Sequence, residues 1–458
     1  MKTNLRMLLF VSLALQSLWW EVATAGSGFA VLTNQFAGPP LVGYGVEMSP
    51  YLTAPNPDQP VGDLADLERK LKALAPQHVR IFVMTDWWRP GNEPMRESFV
   101  RTCQLAQAAG ATINVTLWHG WGNDPAGASK AMAHLLQDLV VNRAVSAARY
   151  VTLQNEVNST RITMQQYDAF YRMFDRDLRA VALRDRIQIV GGDLLRKNEG
   201  AWFQNLATEL AGVCDGYSVH MYWEYPQAAD YLRRRMSEVA AIQEGLPTQA
   251  RRPLYITEFG IRGKDWHTRG NEPGFFDHGT PIAQSGVYAL QIGWLMTEAT
   301  RRGFVATVQW EAYDVGYPRI QMHYGVLGEA RAGWPLRPSY QVLRLFTHTI
   351  APGWRALTLD GDSGDVALAA VEGPKGGLTV MALNHSSEAQ SISLAHLPQS
   401  LVFRHLLWTA ADKDRLKDLG DFAGGAASLE VTLPAKSLTA LSSGSERSKE
   451  LNLAPPSR

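Results

Sequence analysis

Residues 150–160 read YVTLQNEVNST. An apolar and β-branched run, Tyr150-Val151-Thr152-Leu153, passes through Gln154 into Asn155-Glu156 and then into a short polar loop. A run of this length bounded by polar turn residues reads as a buried strand, here one that ends on an amide and a carboxylate. Seven runs of the same kind accompany it: LVGYGVEM (41–48), HVRIFVM (78–84), ATINVTLW (111–118), RIQIVGG (186–192), GYSVHMY (216–222), PLYITEF (253–259) and FVATVQW (304–310). Segments of helical period lie between them, such as DLADLERKLKALA (63–75) and MQQYDAFYRMFDRDLRAVA (164–182). Eight such alternations predict an α/β fold, a (β/α)8 TIM barrel. The competing fold, a doubly wound open sheet, would carry a glycine-rich phosphate loop after its first strand. GYGVEM has two of those glycines and lacks the third.

The segment PSYQVLRLFTHTI (338–350) reads as the closing helix, with Pro338 at its start and Pro352-Gly353 ending it. Beyond it the period changes. WRALTLDG, DVALAAVEG, LTVMALNHS, QSISLAHL, FRHLLWTA and LEVTLPAKSLTALS are short runs punctuated by Gly, Asp, Asn and Ser, the pattern of a smaller antiparallel β-sandwich. The first residues read differently again. Lys2 and Arg6 precede the apolar MLLFVSLALQSLWW, and Ala23-Thr24-Ala25 offers a small-residue cleavage site, the layout of a secretory signal peptide. The expected organisation is therefore a signal peptide over 1–25, a catalytic barrel over 26–350, a β-sandwich over 351–443 and a disordered polar tail over 444–458. The expected product is a secreted or periplasmic monomer, with no stable membrane insertion after signal cleavage.

Charge gives no support to a nucleic-acid partner: 44 Lys and Arg balance 44 Asp and Glu. Cys103 and Cys214 are the only cysteines, too few for a disulfide framework or a thiolate metal site, and their spacing does not say whether they pair. No GxSxG elbow, P-loop or HExxH occurs, so a serine esterase, a nucleotide-dependent enzyme and a zincin find no support. Neither a metal nor an organic cofactor is implied.

In a barrel of this kind chemistry sits at the C-terminal ends of the strands. Those ends carry Arg80, Trp118-His119, Asn155-Glu156, His220 and Tyr222, Glu258 and Trp310. Two carboxylates three strands apart would face one mouth. Glycoside hydrolysis needs such a pair, one to protonate the leaving oxygen and one to attack the anomeric carbon or activate water. An Arg and a Tyr within reach of Glu258 would keep it ionised as nucleophile. Glu156 would have to keep a proton near neutral pH and then act as base. Asn155 beside it could donate to the sugar 2-hydroxyl. The 14 Trp and 15 Tyr suit a cleft that packs on the flat faces of sugars.

The ordered set Arg80, LWHGW (117–121), LQNE (153–156), HMY (220–222), ITEFG (256–260) and VQW (308–310) resembles the retaining β-glycoside hydrolases of clan A, which includes families five, thirty, thirty-nine and fifty-one. The resemblance spans residues 40–440. It implies Glu156 as acid/base, Glu258 as nucleophile and Asn155 as the amide preceding the acid. It further implies Arg80 and Tyr222 on the nucleophile, His220 on the acid/base side and Trp310 flooring the subsite of cleavage. His119 is similar to a His found after the third strand in family five. A β-sandwich behind the barrel also fits the clan.

Glu47, Asp86, Glu224 and Glu311 also end strands or follow them and could line the cleft. Of the loop aromatics Trp87, Trp88, Trp121, Trp223, Tyr225, Trp266 and Tyr313, about half are expected to be sugar platforms and half packing. Arg89, Arg262, Lys264 and Arg319 lie near the mouth and are expected to form a solvated rim. The expected partner is a β-linked polysaccharide or oligosaccharide cleaved by double displacement, from within the chain. A non-catalytic carbohydrate-binding barrel and a transglycosylase using the same two Glu are the alternatives.

Overall fold

The computed structural model describes residues 27–444, apart from 55–61, 119–120, 122–123, 226–228, 263–275, 278–279, 318–319, 362–363, 399 and 424–427. The expected signal peptide and nearly all of the expected tail lie outside the described residues. No helix among the described residues is long and apolar enough to cross a membrane.

Strand β1 (Ser27–Phe36) opens the described chain and is followed by β2 (Gly43–Glu47), β3 (His78–Val83), β4 (Thr112–Leu117), β5 (Ala148–Thr152), β6 (Gln188–Leu194), β7 (Gly216–Glu224) and β8 (Leu254–Arg262). Two short pairs, β9 (Phe276–Asp277) with β10 (Thr280–Pro281) and β12 (Val315–Tyr317) with β13 (Ile320–Met322), flank β11 (Ala306–Gln309). Strands β2 to β8 and β11 form one closed barrel, each parallel to its neighbour, and β11 closes on β2 through Ala306↔Gly43 to Gln309↔Val46. All eight barrel strands fall on the eight runs read from the sequence.

Capping and apolar stripes fix the helices. Asp63 accepts from the backbone of Ala65 and Asp66 at the start of Leu64–Leu74, satisfying donors that a helix start leaves unpaired. Thr163 and Gln166 form a reciprocal capping box on Met164–Ala180. The buried face of that helix, Tyr167, Phe170, Tyr171, Phe174 and Leu178, repeats at the helical period. Each such side chain contributes about 1.5–3 kcal/mol by burial. Two of its hydroxyls also tie down strand ends: Tyr171 accepts from Leu153 N (3.2 Å) and donates to Val190 O (3.2 Å), and Tyr167 accepts from Gly192 N (2.8 Å).

The C-terminal unit comprises β14 (Arg355–Asp360), β15 (Val366–Glu372), β16 (Leu378–Asn384), β17 (Gln390–Ala395), β18 (Val402–Thr409), β19 (Leu416–Ala423), β20 (Ser428–Leu433) and β21 (Ser437–Ser442). They form a curled sheet in the order β19-β18-β21-β16-β15-β14-β1-β17-β20, antiparallel except where β1 runs parallel to β17. Strand β1 is thus a correction. The expected boundary put residues from 26 onward in the barrel, yet Ser27–Phe36 pairs with β14 and β17 instead. Nearness in sequence does not decide which sheet a strand joins; here the apolar Phe29 and Val31 complete the curled sheet's own core with Leu357, Leu368, Val380 and Ile392. Strand β19 was not among the runs read as strands, because Lys417, Asp418, Gly420 and Asp421 interrupt it. Charges of that kind are usual on an edge strand, where they discourage pairing with other chains.

Alternation along β15 shows why this sheet is apolar on both faces. Val366, Leu368 and Ala370 point into the curled sheet's core, while Ala367 and Val371 join the barrel's core. The helix Gly286–Arg301, buried on nearly all sides, lies between the two units. A Cβ on its Gly293 would meet Leu383 of the sheet at 3.0 Å and Val342 at 3.2 Å.

Candidate active site

Arg80 organises the C-terminal mouth of the barrel. It sits on β3 with no exposed surface, a position that a guanidinium tolerates only when its donors are all paired. Nε donates to Thr116 Oγ1 (3.0 Å). Nη1 donates to both Glu47 Oε2 and Glu258 Oε2, each at 2.6 Å, and Nη2 donates to Asn155 Oδ1 and Asp193 Oδ2, each at 2.7 Å. Residues on or just after five other barrel strands are thereby joined through one planar fork.

Glu258 lies on β8, and His220 on β7 is its register partner. Besides Arg80, Glu258 accepts from the Tyr222 hydroxyl. Burial, and then the charge of Glu258, push the Tyr222 phenol well above its ordinary range, so it remains a donor. The Arg262 guanidinium lies 4.0 Å over the Tyr222 ring and covers its other side.

Glu156 reaches the same point from the opposite wall. The β5 strand stops at Thr152, and Glu156 adopts a left-handed conformation (φ 46°, ψ 47°) before a single 3-10 turn, Val157–Ser159. Left-handed backbone at a non-glycine residue costs energy and persists only where its surroundings over-determine it. Here Ser159 Oγ caps Glu156 O (2.8 Å), and Gln154 is held by Trp121 Nε1 (2.9 Å) and by Asn155 O (2.9 Å).

The two carboxylates meet across His220. Its Nδ1 is 3.1 Å from Glu156 Oε1 and 3.7 Å from Glu258 Oε1, and its Nε2 faces Asp193 Oδ2 at 3.6 Å. One oxygen of each Glu and a ring nitrogen of His220 all lie within 4.8 Å of one another. Burial alone would lower the imidazole, but the charges of Glu258 and Asp193 and the contact with Glu156 overcome it and push His220 up to about 10. Burial would likewise raise Glu156, yet the bond from His220 and the nearby cations hold it below its ordinary value. This differs from the expectation that Glu156 itself keeps the proton. The anions around His220 favour the proton of the Glu156–His220 pair on the imidazole.

Asp193 is the functional neighbour that sequence reading missed. The run 186–192 stops two residues short of the strand's end at Leu194. A register shift between Gly191 and Leu194 turns the Asp193 carboxylate inward, where it accepts from Arg80, Ser218 and Thr257. Gly192 has φ +123°, and a Cβ there would meet Ser218 O at 2.4 Å, so only glycine permits this approach. Burial opposes ionisation of Asp193, but Arg80 and His220 hold it well below the usual carboxylate range. The signal available was the strand-terminal Asp itself, of the same kind that singled out Glu156 and Glu258.

Trp310, Phe82 and Tyr324 form an apolar wall beside the acids, with Trp118, Tyr222 and Met322 packed on it. Phe82 stacks on Trp118 with centroids 5.4 Å apart and tilts against Trp310 at 5.9 Å. His119 lies outside the described residues, as do Trp266, Lys264 and Arg319. Among the loop aromatics Trp87, Trp121, Trp223 and Tyr313 are buried packing residues; Trp121 stacks on Phe170 at 4.4 Å. Trp88 and Tyr225 are half-buried. Of the other carboxylates Asp86 is exposed and pairs with Arg89, whereas Glu47 and Glu311 are buried at the site. Cys103 and Cys214 are buried free thiols.

Among the described residues two groups have spacing that would suit a cation, Glu156 with His220 and Glu258, and Asp314 with His323 and Glu329. In the first, Arg80 already supplies positive charge 2.6 Å from Glu258. In the second, both oxygens of Asp314 are taken by Arg337, and His323 Nδ1 and Gly325 N add further bonds.

The class defined by this architecture is an eight-stranded parallel barrel with a curled, mostly antiparallel sheet behind it. Solved glycoside hydrolases of families thirty and fifty-one share that fold. A family 30 endoxylanase from Clostridium papyrosolvens C71 superposes with a TM-score of 0.64 at 15% identity, covering 91% of this chain and 100% of its own. An α-L-arabinofuranosidase from Thermotoga maritima gives 0.65 at 12% identity, covering 91% and 99%. A family 51 arabinofuranosidase from Xanthomonas axonopodis pv. citri gives 0.61 at 15% identity, covering 92% and 100%. No protein-family model matches the chain, and no curated protein matches it in sequence.

Proposed function

We propose that this chain is an exported retaining glycoside hydrolase that cleaves a β-linked polysaccharide or oligosaccharide by double displacement. The observation that carries the reading is the pair Glu156 and Glu258, one oxygen of each lying within 4.8 Å of the other beside His220, a close approach that favours the shorter of two carboxyl spacings. Retaining enzymes hold their carboxyl groups about 5–5.5 Å apart, whereas inverting ones need about 6.5–9.5 Å to admit a water. In this mechanism Glu258, aimed by Arg80 and Tyr222, attacks the anomeric carbon and forms a glycosyl ester. The leaving oxygen takes a proton from Glu156, which receives it from His220 over the 3.1 Å contact. Glu156 then draws a proton from water, which attacks the ester and frees Glu258. Asn155 donates to the 2-hydroxyl, its carbonyl being held by Arg80, and Trp310 supplies the floor for the sugar.

The fold neighbours act on xylan-type chains and arabinofuranosides by their names, so xylans and aryl arabinosides join β-glucans and β-mannans in the first panel. Wild-type protein and Glu258→Gln would be incubated with each, reading new reducing ends and intact mass. Turnover that falls by about ten-thousand-fold or more in the variant supports the reading. Binding without turnover by the wild type would replace it with a carbohydrate-binding barrel.

A further inference from the structure

Glu47 and Glu258 accept from the same nitrogen, Arg80 Nη1, each at 2.6 Å, so their oxygens are at most twice that distance apart. Glu47 is 2% exposed and Glu258 5%. Behind Glu47 lies Glu311, 1% exposed, brought there because Ala312 N donates to Glu47 O at 2.7 Å. Glu311 Oε1 is fully buried with no hydrogen-bond partner. An ionised carboxylate in that position would carry several kcal/mol of uncompensated desolvation.

Charge balance leads the same way. Three cations act on this site, Arg80, His220 and Arg262, and three anions answer them, Glu156, Glu258 and Asp193. Arg337 is committed to Asp314. The groups facing Glu47 are Arg80 from β3, Glu258 from β8, His220 from β7, and Glu311 with the Tyr313 phenol from the segment after β11. None of them offers Glu47 or Glu311 a counter-charge that is not already claimed. Two like charges on one donor cannot both ionise cheaply.

We propose that Glu47 and Glu311 are carboxylic acids in the resting protein, a neutral floor that leaves Glu258 the sole charged acceptor on Arg80 Nη1. Glu47 is then a positioning residue: it chooses which of two carboxyls on one guanidinium nitrogen is the anion. That consequence rests on the glycosidase reading, but the protonation state does not. Burial moves both groups well above the usual carboxylate range, outweighing the Arg80 charge on Glu47, and the neighbouring acids add to it.

Capillary electrophoresis of the folded full chain tests this without substrate. Glu47→Gln and Glu311→Gln are compared with wild type, and Glu430→Gln, exposed on the curled sheet, sets the mobility step for one charge. At about pH 7 an ordinary carboxylate is ionised. The expected result is that both site variants co-migrate with wild type while Glu430→Gln is displaced by one step. Raising the pH opens a gap between wild type and Glu47→Gln. A full one-charge displacement of Glu47→Gln at about pH 6 overturns the proposal. Should either variant not fold, infrared spectra of wild type with isotope-labelled Glu decide it: a protonated-carboxyl band at neutral pH supports the proposal, and its absence overturns it. Neither readout depends on turnover, so an inactive wild type would refute the glycosidase reading alone.

Discussion

At the scale of single residues, Arg80 does more than pair with a nucleophile. Its five donor contacts link Thr116, Glu47, Glu258, Asn155 and Asp193, so it sets both the amide beside the acid and the carboxylate opposite. Lysine carries charge but no planar fork, and from one point it cannot bridge Glu258 and Asn155 together. Arg80→Lys is therefore expected to lower kcat by about 100–1000-fold, the usual effect of losing one preorganised donor at a developing charge. Rates on an activated aryl glycoside check this; a kcat within a factor of about three of wild type would show that the fork is dispensable. Much of this site was legible because Glu156, His220, Tyr222, Glu258 and Trp310 all end strands in order. Asp193 was not, since a register shift in the strand, invisible in composition, is what turns it inward. The proton on the Glu156–His220 pair was equally hidden: it depends on three carboxylates converging on one imidazole, a three-dimensional fact.

At the scale of elements, the helix Met164–Ala180 joins fold to chemistry. The Tyr171 hydroxyl is the partner of Leu153 N, three residues before Glu156, and of Val190 O, three residues before Asp193. Tyr171→Phe keeps the ring's burial and removes only this bridge, leaving a buried N–H unpaired at a cost of about 1–3 kcal/mol. The expected outcome is a lower urea midpoint together with reduced kcat, because the loop carrying the left-handed Glu156 loses its anchor. An unchanged midpoint would place the support elsewhere. The curled sheet makes the contrasting case. The eight barrel strands were readable because each is a short run rich in apolar and β-branched residues, most of them buried, but the membership of β1 was not, since pairing partners far apart in sequence leave no local mark. Phe29→Ala should accordingly cost about 3–5 kcal/mol, a core truncation in the C-terminal unit made by a residue at the N-terminal end of the described chain. Thermal unfolding measures it, and a loss below about 1 kcal/mol would mean that β1 is only loosely held.

At the scale of the whole molecule, the buried charges predict how stability follows pH. His220 is raised from 6.5 to about 10 by its anionic neighbours. The stabilisation from its proton is complete below about 6.5 and is lost as pH climbs through the folded value. Glu47 and Glu311, raised chiefly by burial, act with the same sign, since a buried acid destabilises the fold once it must ionise. Asp193 acts in the opposite sense: its folded value lies below 3.8, so its contribution is present above that pH and fades on acidification. The exposed ion pairs, such as Arg69 with Asp66 and Arg172 with Glu209, add little by comparison because solvent screens them. The denaturation midpoint should therefore peak near pH 4.5, above which Glu47 and Glu311 begin to cost stability, and fall steadily toward pH 10, with His220 adding to the decline above about 6.5. His220→Asn should lessen the decline above about pH 6.5, since one proton-linked contributor is gone, while leaving the acid side governed by Asp193. Urea melts of both proteins across that range decide the matter. A wild-type midpoint that rises from pH 6.5 to 9 would mean that the folded Glu156–His220 pair holds no proton beyond what the unfolded chain binds, and the assignment of a proton to that pair would fall.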